Sequence, residues 1–385
     1  MTPPHLHEVT LETIEPLLFG DSRSTRAGMD HFRSDQDASP LTVHGAIGMF
    51  IWNLSGQRAF PPQLGTQVDD ILDSGGASVS ELLAVVFRDP GGALWFPRPL
   101  HFRCWKQPRT GRLFSHDLLS PSKIPDDWKS SCPLPLVLFA PPRQHEMDEP
   151  LLVSERFLER ILTCNLREEP LDNDARHLSE VFRRETRPGI VVQNATGTTE
   201  EGMFFSRPYR RFGGGDPGLG DSPAWSFQTW FATPGPLTEI GPDLGHLGGD
   251  RRRVRILLEP MASGSVILPS LRERVLESVA GSSGFFLYLL TPRILDENDP
   301  WPGVEGASPV AAANGRQQHV SGWNTKLHRP RPMIDMEAAG SVHFYTWPQT
   351  SSDDERRKIV EDHWLTSVGR GGAAGFGRVL VGVWR

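Results

Sequence analysis

The sequence predicts an α+β protein with long loops, and three observations support this. Apolar side chains recur at helical spacing over residues 41–57, whereas 285–292 and 340–347 are apolar and aromatic runs typical of buried strands. The 38 glycines and 34 prolines favour many turns around short elements and argue against a helical bundle. The chain has 385 residues, which is longer than a single hydrophobic core usually supports, so we expect two domains.

The first part of the chain is expected to contain strands, helices and one conspicuous hairpin. In residues 187–205, RPGIVVQNATGTTEEGMFF, two apolar runs flank a long polar tip, which is either a tolerated surface loop or a contact loop. Residues 106–150 are rich in proline and predict a long irregular insertion. The other expected elements are a strand ending near Phe19, helices over 41–57, 152–162 and 175–185, an extended strand pair over 91–103, and strands over 224–233 and 247–260.

A change of composition near residue 262 begins the second part. Its expected elements are a helix over 269–281, a strand over 285–292, an extended segment over 321–332, a strand over 340–347, a helix over 353–364, and a glycine-rich loop with a terminal strand over 369–384. This order of strands and helices fits two ferredoxin-like domains in tandem with long inserted loops and hairpins. We expect the N-terminal domain at 1–260 and the C-terminal domain, with its glycine-rich loop, at 261–385.

The charge of the whole chain argues against a free-standing nucleic-acid binder. The net charge is −7 and the isoelectric point is about 6.0. Local basic runs nevertheless occur at 207–211, 251–255 and 326–331. Because the field in a groove acts over roughly 8 Å at physiological salt, these runs matter more than the total.

Nothing in the sequence predicts a membrane span, a cofactor or a metal site. The N-terminus has no basic start followed by an apolar segment, and no window approaches eighteen uninterrupted apolar residues, so we expect a cytoplasmic protein without membrane contact. Cys104, Cys132 and Cys164 lie far apart without a CxxC motif, which favours buried free thiols over a disulfide or zinc site. No cofactor is expected.

Motifs for catalysis are also lacking. The sequence has no GxSxG, HExxH or P-loop. The loop GRGGAAGFGR has spacings like GxGxxG, but it follows a predicted helix and opens a strand, which is the wrong context for a dinucleotide site. Its glycines could permit close approach of another chain or form an ordinary connection. The residues alone therefore offer little that points to catalysis.

Two basic segments are candidates for binding phosphates. In RRRVR, alternate residues Arg251, Arg253 and Arg255 would share one face of a strand, either as a solvated charged edge or as a strip that faces phosphates. In SGWNTKLHRPRP, Trp323 stands close to Lys326 and several other basic residues. Rings that stack on bases and cations that hold phosphates suit single-stranded nucleic acid, although Trp323 could instead anchor a core beside a basic loop.

Five stretches, in chain order, together resemble one family. They are IEPLLFGDSRS (14–24), RPGIVVQNATGTTEEGMFF (187–205), LGGDRRRV (247–254), SGWNTKLHRPRPMIDMEAAGSVHFY (321–345) and GAAGFGRVLVGVW (372–384). The stretches resemble the third subunit of the type III-B CRISPR effector, the Cmr complex, a RAMP protein of the Cas-five group. The chain departs from that family's pattern at Gly20 and Gly48, where arginine is common, and at Arg331, where lysine is usual.

The resemblance implies a non-catalytic RNA-binding subunit of an antiviral CRISPR ribonucleoprotein with two RRM-like RAMP domains. Its implied partners are the 5′ repeat-derived tag of the guide RNA, the large polymerase-type subunit and the RAMP backbone subunits. Together with the basic clusters, it predicts that RNA is bound by Ser22, Arg23, Arg187, Asn194, Thr196, Thr198, Arg251, Arg252, Trp323, Lys326, His328, Arg329, Arg331, Gly375, Phe376, Gly377 and Arg378.

Two alternatives remain open at this point. A metal-independent endoribonuclease that processes guide RNA would need a histidine or a tyrosine near the RNA, and His328 and His31 are the candidates. An assembly scaffold would contact only protein. Glu200 and Glu201, beside the hairpin tip, are expected to face a protein neighbour rather than RNA.

Overall fold

The computed structural model describes residues 5–19, 38–54, 80–106, 113–124, 133–138, 151–166, 173–192, 195–196, 198–213, 225–237, 240–295, 301–321, 323–324, 329–330 and 332–385. Within these ranges the fold mixes few helices with mostly antiparallel sheets, which confirms the predicted mixture of helices and strands. Across the same ranges, every helix is too short or too polar to cross a membrane.

The helices and strands are numbered in chain order. The helices are α1 (Pro40–Leu54), α2 (Glu155–Leu162), α3 (Leu178–Val181), α4 (Pro269–Glu277) and α5 (Asp353–His363), with short 3₁₀ turns at Gly249–Arg251 and Gly372–Ala374. The strands are β1 (His5–Thr13), β2 (Glu81–Arg88), β3 (Leu94–Pro97), β4 (Phe102–Lys106), β5 (Leu113–Leu118), β6 (Pro121–Lys123), β7 (Leu136–Leu138), β8 (Leu151–Ser154), β9 (Ala175–His177), β10 (Phe182–Val192), β11 (Thr199–Phe212), β12 (Ser226–Thr233), β13 (Ile240–His246), β14 (Arg253–Pro260), β15 (Gly284–Leu289), β16 (Arg293–Ile294), β17 (Ser308–Ala313), β18 (Gln318–Val320), β19 (Trp323–Asn324), β20 (Arg329–Pro330), β21 (Ile334–Glu337), β22 (Val342–Thr346) and β23 (Val379–Trp384).

Two sheets organise the fold. The larger has eight strands in the order β13-β14-β1-β12-β2-β3-β8-β9, and the smaller has four in the order β17-β22-β15-β23. Every residue of β12 is buried, as are all residues of β15 and β23. Strands covered on both faces are expected to be continuously apolar or aromatic rather than alternating, which explains the runs that predicted them.

The same spatial order of strands occurs in both parts of the chain. Four strands of the large sheet lie in the order β14-β1-β12-β2, and the small sheet runs β23-β15-β22-β17, so each order is fourth, first, third, second. In the described ranges, α1 lies between the first and second strands of the first set, but no α-helix lies between its third and fourth strands. In the second set, α5 lies between the third and fourth strands, but no α-helix is described between the first and second. The order agrees with a ferredoxin-like unit, whose pattern is βαββαβ, but each set has one of the two helices. The tandem interpretation therefore stays a prediction.

Most predicted helices form, and their ends have clear causes. Helix α1 lies within the predicted 41–57 region except for Pro40, and α5 begins at a capping box formed by Ser352 and Glu355. Helix α2 begins only at Glu155, because the preceding residues pair with β3 as strand β8. The Ser154 hydroxyl then accepts a hydrogen bond from the Phe157 amide and caps the helix.

Several predicted elements are wrong. The helix over 175–185 is a strand, a single helical turn and the start of β10, because Phe182 and the following residues pair with β11. The first strand ends at Thr13 rather than near Phe19. The expected pair over 91–103 does form two strands, but β3 pairs with β2 and β8, while β4 pairs with β5.

One core cluster contains residues from both parts of the chain. Phe96, Phe102 and Val153 of the first part pack in the same cluster as Phe286 and Phe344 of the second. The domain boundary between residues 260 and 261 therefore stays a prediction, because buried residues from both sides of it pack in one hydrophobic cluster.

Candidate nucleic-acid interface

Strands β10 and β11 form a two-stranded antiparallel ribbon with an arginine-rich face. Alternate residues of a strand point to the same side, and residues directly opposite one another across the ladder share a face. We call this the arginine face, and the register places on it Arg183 opposite Arg211, Glu185 opposite Tyr209, and Arg187 opposite Arg207.

Directly opposed arginines on a strand pair are unfavourable unless an anion neutralises them. Two such pairs occur on the arginine face, and their guanidinium groups remain accessible. The side chain of Arg211 is 44% exposed, that of Arg187 is 38% exposed and that of Arg207 is 30% exposed. Arg183 is also exposed, and within the described ranges it has no ion-pair partner. The face is thus accessible and incompletely neutralised.

Glu185 neutralises two arginines within the ribbon. Its Oε1 accepts from Nε of Arg187 at 2.7 Å, and its Oε2 accepts from Nε of Arg211 at the same distance. The hydrogen bond from Arg211 is the main reason why the pKa of Glu185 lies below its usual value, and Arg187 adds to the effect against a smaller opposing contribution from burial. The carboxylate is therefore charged at neutral pH.

Asp250 connects the ribbon to the glycine turn at 248–251. It accepts hydrogen bonds from Arg207 Nη1 at 2.9 and 3.0 Å and from the Tyr209 hydroxyl at 2.7 Å. Burial alone would raise the pKa of Asp250, but the hydrogen bonds from Tyr209 and Arg207 and the charges of Arg207 and Arg252 outweigh it and hold the pKa below its usual value.

Tyr209 supports guanidinium groups rather than offering a free ring for stacking. The Arg252 guanidinium lies over the ring at 4.5 Å from its centroid, and that of Arg187 at 5.1 Å. The tyrosine itself is 5% exposed. Cation–π contacts of this kind fix the positions of the cations before any ligand binds.

The glycine turn packs against the chain just before residue 20. Gly248 has φ +78°, and a Cβ there would lie 2.5 Å from the Leu18 carbonyl oxygen, so only glycine fits without a shift. The Gly249 amide donates to that oxygen at 2.7 Å. Leu17 and Arg210 exchange two backbone hydrogen bonds of 2.8 Å, which fasten the same segment to β11. Two of the five family-like stretches, 14–24 and 247–254, therefore meet here beside β11.

The opposite face of the ribbon anchors it to the core. Phe182 and Phe212 are buried, and their rings pack at 5.5 Å. Arg210 is 4% exposed, and its guanidinium lies over Phe182 at 4.4 Å. One face of the ribbon base is thus committed to packing, which leaves the arginine face for a ligand.

The predicted phosphate strip over 251–255 does not form. Arg251 lies in the 3₁₀ turn with φ +49° rather than on the strand. Arg253 and Arg255 are on β14, but Arg253 pairs with Glu15 at 2.7 Å and Arg255 pairs with Glu12 at 3.0 Å. These two arginines form the solvated, neutralised edge that was the alternative interpretation.

The hairpin tip is exposed where the structure describes it. The hydroxyls of Thr196 and Thr198 share a hydrogen bond of 2.7 Å, and both residues are exposed. Asn194 lies outside the described residues, and so do the side chains of Glu200 and Glu201. Their predicted contacts stay predictions.

The aromatic and basic segment is described only in its backbone. Trp323 pairs with Pro330 and Asn324 pairs with Arg329 in a two-residue ladder. The pairs 323–324 and 329–330 are thus strands, as expected for an extended segment, and the rest of 321–332 stays a prediction. The segment's other predicted RNA-binding residues lie outside the described residues: Lys326, His328 and Arg331. The same is true of Ser22, Arg23 and His31 near the N-terminus.

The glycine-rich loop is a packing element, which corrects the prediction for its side chains. Phe376 is fully buried and Arg378 is 3% exposed. Arg378 donates to the carbonyl of Leu82 at 3.1 Å and to that of Leu365 at 3.0 Å, and it pairs with Glu81. These side chains are directed into the protein and are not available to a ligand.

The glycines of this loop serve the same packing. Gly375 has φ +91°, and a Cβ would lie 2.7 Å from a side-chain carbon of Leu82. Gly377 has φ +67°, and a Cβ would lie 2.2 Å from the Val368 carbonyl oxygen. The close approach expected of glycines before a strand is real, but it is an approach to this protein's own strand β2 and to residue 368.

Sequence reasoning missed most of the arginine face. From the sequence alone, Arg207 and Arg211 stand out only as part of a basic run, and Arg183 and Glu185 lie in a predicted helix. The usable signal is the alternation in FRRETRPG and in SRPYRRF, where every second residue is charged or aromatic. Among the described residues, no group of three or more histidine, cysteine, aspartate or glutamate side chains could hold a metal ion.

Comparisons with known proteins agree with this architecture. A family model described as CRISPR-associated protein (Cas_Cmr3) matches residues 9–384. A chain of the Type III-B Cmr-beta complex bound to cognate target RNA, solved by cryo-EM, is similar with a TM-score of 0.50 and 13% identity over 88% of this chain and 86% of that chain. A second, from that complex bound to cognate target RNA and AMPPnP in state 1, has the same TM-score and identity over 92% and 88%. These structural matches establish likeness of fold, and no curated protein matches the chain.

Proposed function

Because this chain belongs to the CRISPR-associated Cas_Cmr3 family, we propose that it is a non-catalytic RNA-binding subunit of a type III-B CRISPR ribonucleoprotein. In this role it holds the 5′ repeat-derived tag of the guide RNA. It also links the large polymerase-type subunit to the RAMP backbone subunits, and the assembly acts in antiviral defence.

The observation that carries the RNA-binding proposal is the arginine face. Among the described residues, four arginines of the ribbon and Arg252 lie near two carboxylates that form ion pairs within this group, those of Glu185 and Asp250. The protein as a whole has a net charge of −7, so this local excess of positive charge runs against the average. Guanidinium groups match phosphate oxygens in a bidentate geometry, and a polyanion is the ligand that relieves opposed arginines.

The position of the ribbon supports a path for the RNA. The turn at 248–251 and the segment before residue 20 both pack against the ribbon base. The next residues of the chain include Ser22 and Arg23, and the far end of the ribbon carries Thr196 and Thr198. We propose that the tag follows the arginine face between these two regions, and that the segment from Trp323 to Arg331 contributes further contacts.

We also retain two domains, 1–260 and 261–385, as part of the proposal. The repeated strand order in the two sheets supports two ferredoxin-like units. A shared core between them suits a subunit that must hold a fixed geometry between neighbours.

The RNA-binding proposal is tested by removing two arginine charges from the face and two from elsewhere. The test variant is Arg183→Gln with Arg211→Gln, which leaves the contacts to Tyr209 and Asp250 in place. The matched control is Arg253→Gln with Arg255→Gln, which removes the same charge from an exposed, ion-paired edge. Guide RNA retention by the assembled complex is measured as a function of salt concentration.

We expect the test variant to bind more weakly and to lower the slope of log K against log salt by up to about 1.4, which is two contacts at about 0.7 each for a single strand. The control should keep the wild-type slope. Equal slopes for both variants would remove the arginine face from the RNA site. If no RNA is bound through this subunit in the wild-type complex, the scaffold alternative holds.

A separate assay addresses the absence of catalysis. Purified protein is incubated with labelled repeat RNA in EDTA, and the products are separated by electrophoresis. A pure binder leaves the RNA intact. Cleavage that is lost in His328→Ala or His31→Ala would establish the metal-independent nuclease instead.

A further inference from the structure

We infer that the two carboxylates of the arginine face act in opposite directions on RNA binding: Glu185 competes with the RNA for arginines, whereas Asp250 holds the site together. This inference rests on the proposed function. It assigns to Glu185 the part of a specificity-determining residue, because a ligand must displace it to reach two guanidinium groups at once.

The contacts of Glu185 all lie within the ribbon. It pairs with Arg187, two residues away on the same strand, and with Arg211 on the neighbouring strand. The backbone ladder already joins these strands, so the carboxylate adds no connection to the rest of the fold. Its oxygens, at 2.6 to 2.7 Å from the guanidinium nitrogens, occupy the positions that phosphate oxygens would take.

The contacts of Asp250 are of a different kind. It binds Arg207 and Tyr209, which are 43 and 41 residues away in sequence, and it lies 3.8 Å from Arg252. Its backbone has φ +57°, a conformation that costs energy for a residue other than glycine. The surrounding contacts maintain that conformation, so loss of the carboxylate releases the turn that positions Arg252.

The difference has a chemical consequence for ligand choice. An isolated anion that binds one guanidinium group gains little binding free energy, because it only replaces the Glu185 carboxylate that this group already binds. A strand with successive phosphates can bind Arg187 and Arg211 together, and it can also neutralise Arg183, which lies opposite Arg211 and has no ion pair among the described residues. Glu185 therefore suppresses binding of small anions more than binding of RNA.

The test compares Glu185→Gln and Asp250→Asn in the full-length chain. The probes are a short fluorescein-labelled single-stranded RNA and, as competitor, inorganic phosphate. Glu259→Gln is the matched control for charge, because Glu259 is exposed on β14 and has no arginine partner in the described part of the chain. Thermal unfolding of each variant shows whether the fold is kept.

We expect Glu185→Gln to bind RNA about 2- to 30-fold more tightly, as two exposed ion pairs no longer compete. Phosphate should displace RNA from this variant at lower concentration, relative to its RNA affinity, than from wild type. Asp250→Asn should bind RNA more weakly. Glu259→Gln should increase the RNA affinity by at most a small fraction of the increase expected for Glu185→Gln.

The outcomes separate this inference from the proposed function. If wild type binds RNA but Glu185→Gln binds it equally or more weakly, Glu185 is not a competitor and the inference fails while the function stands. If Asp250→Asn also binds more tightly, the opposition between the two carboxylates fails. If wild type and both variants bind no RNA, alone and in the assembled complex, the proposed function itself fails.

Discussion

The Tyr209 hydroxyl donates a hydrogen bond of 2.7 Å to Oδ2 of Asp250, across 41 residues of sequence. This bond joins the ribbon of β10 and β11 to the glycine turn before β14. The same carboxylate accepts from Arg207, and the same ring lies under Arg187 and Arg252. The positions of Arg187, Arg207 and Arg252 thus depend in part on one aromatic residue and one acid.

Removal of the Tyr209 hydroxyl is expected to destabilise the protein. Tyr209→Phe keeps the ring and its cation–π contacts but leaves Asp250 with one donor fewer, which should cost about 1 to 3 kcal/mol for a hydrogen bond to a charged group. A double-mutant cycle with Asp250→Asn, measured by denaturant unfolding, should give a coupling free energy of about 0.5 to 3 kcal/mol. Strictly additive effects would show that the two groups do not interact.

Arg378 is expected to contribute to stability rather than directly to RNA binding. Arg378→Met leaves the carbonyls of Leu82 and Leu365 and the Glu81 carboxylate without their donor. The free energy of unfolding should fall by about 3 to 5 kcal/mol, as for loss of one partner from a buried charged network. Arg357→Met, an exposed change on α5, serves as the control. A variant that unfolds like wild type but no longer binds RNA would restore Arg378 to the RNA site.

Histidine 101 should make stability depend on pH. Its ring lies 4.8 Å from that of Phe286 and 5.4 Å from that of Phe344, and burial lowers its pKa to about 3. Neither ring nitrogen has a hydrogen-bond partner among the described residues. Below pH 6.5 the unfolded chain binds a proton at this residue and the folded chain does not, so stability must fall with falling pH until about pH 3.

The His101→Leu variant isolates this contribution. Urea unfolding of wild type should show a loss of about 2 kcal/mol from this residue between pH 6.5 and pH 5, at roughly 1.4 kcal/mol per pH unit. The variant should lack that part of the loss and should be more stable at pH 7, because two unsatisfied buried nitrogens are removed. Identical pH profiles for the two proteins would mean that His101 takes up a proton in the folded state.

The sequence predicted a strand or helix well where the residues of that element alone show its hydrophobic or capping pattern. The buried runs of β15 and β22 and the acidic start of α5 are visible without partners. The family resemblance likewise depended on short stretches such as 247–254 and 372–384, and the family match over 9–384 confirms it. Features of this kind are local, so one sequence suffices to find them.

The arginine face could be predicted only in part, from the alternation in FRRETRPG and SRPYRRF, and the role of Arg378 could not be predicted in this way. Leu178, Val181 and Phe182 have helical spacing, and only the pairing of β10 with β11 shows that the chain after Phe182 is a strand. Arg378 follows glycines, as phosphate-binding residues often do, and its burial depends on Leu82 in a part of the sequence without a clear pattern. In both cases the structure of the residue depends on contacts with a segment that is distant in sequence.

RNA binding by the arginine face is tested most directly by crosslinking of the guide RNA tag in the assembled ribonucleoprotein. A guide with 4-thiouridine at successive tag positions is incorporated, irradiated and digested, and the crosslinked peptides are identified by mass spectrometry. We predict crosslinks within residues 182–212 that are reduced in Arg183→Gln with Arg211→Gln and kept in Arg253→Gln with Arg255→Gln. Crosslinks confined to other parts of the chain, or to other subunits, would contradict this prediction.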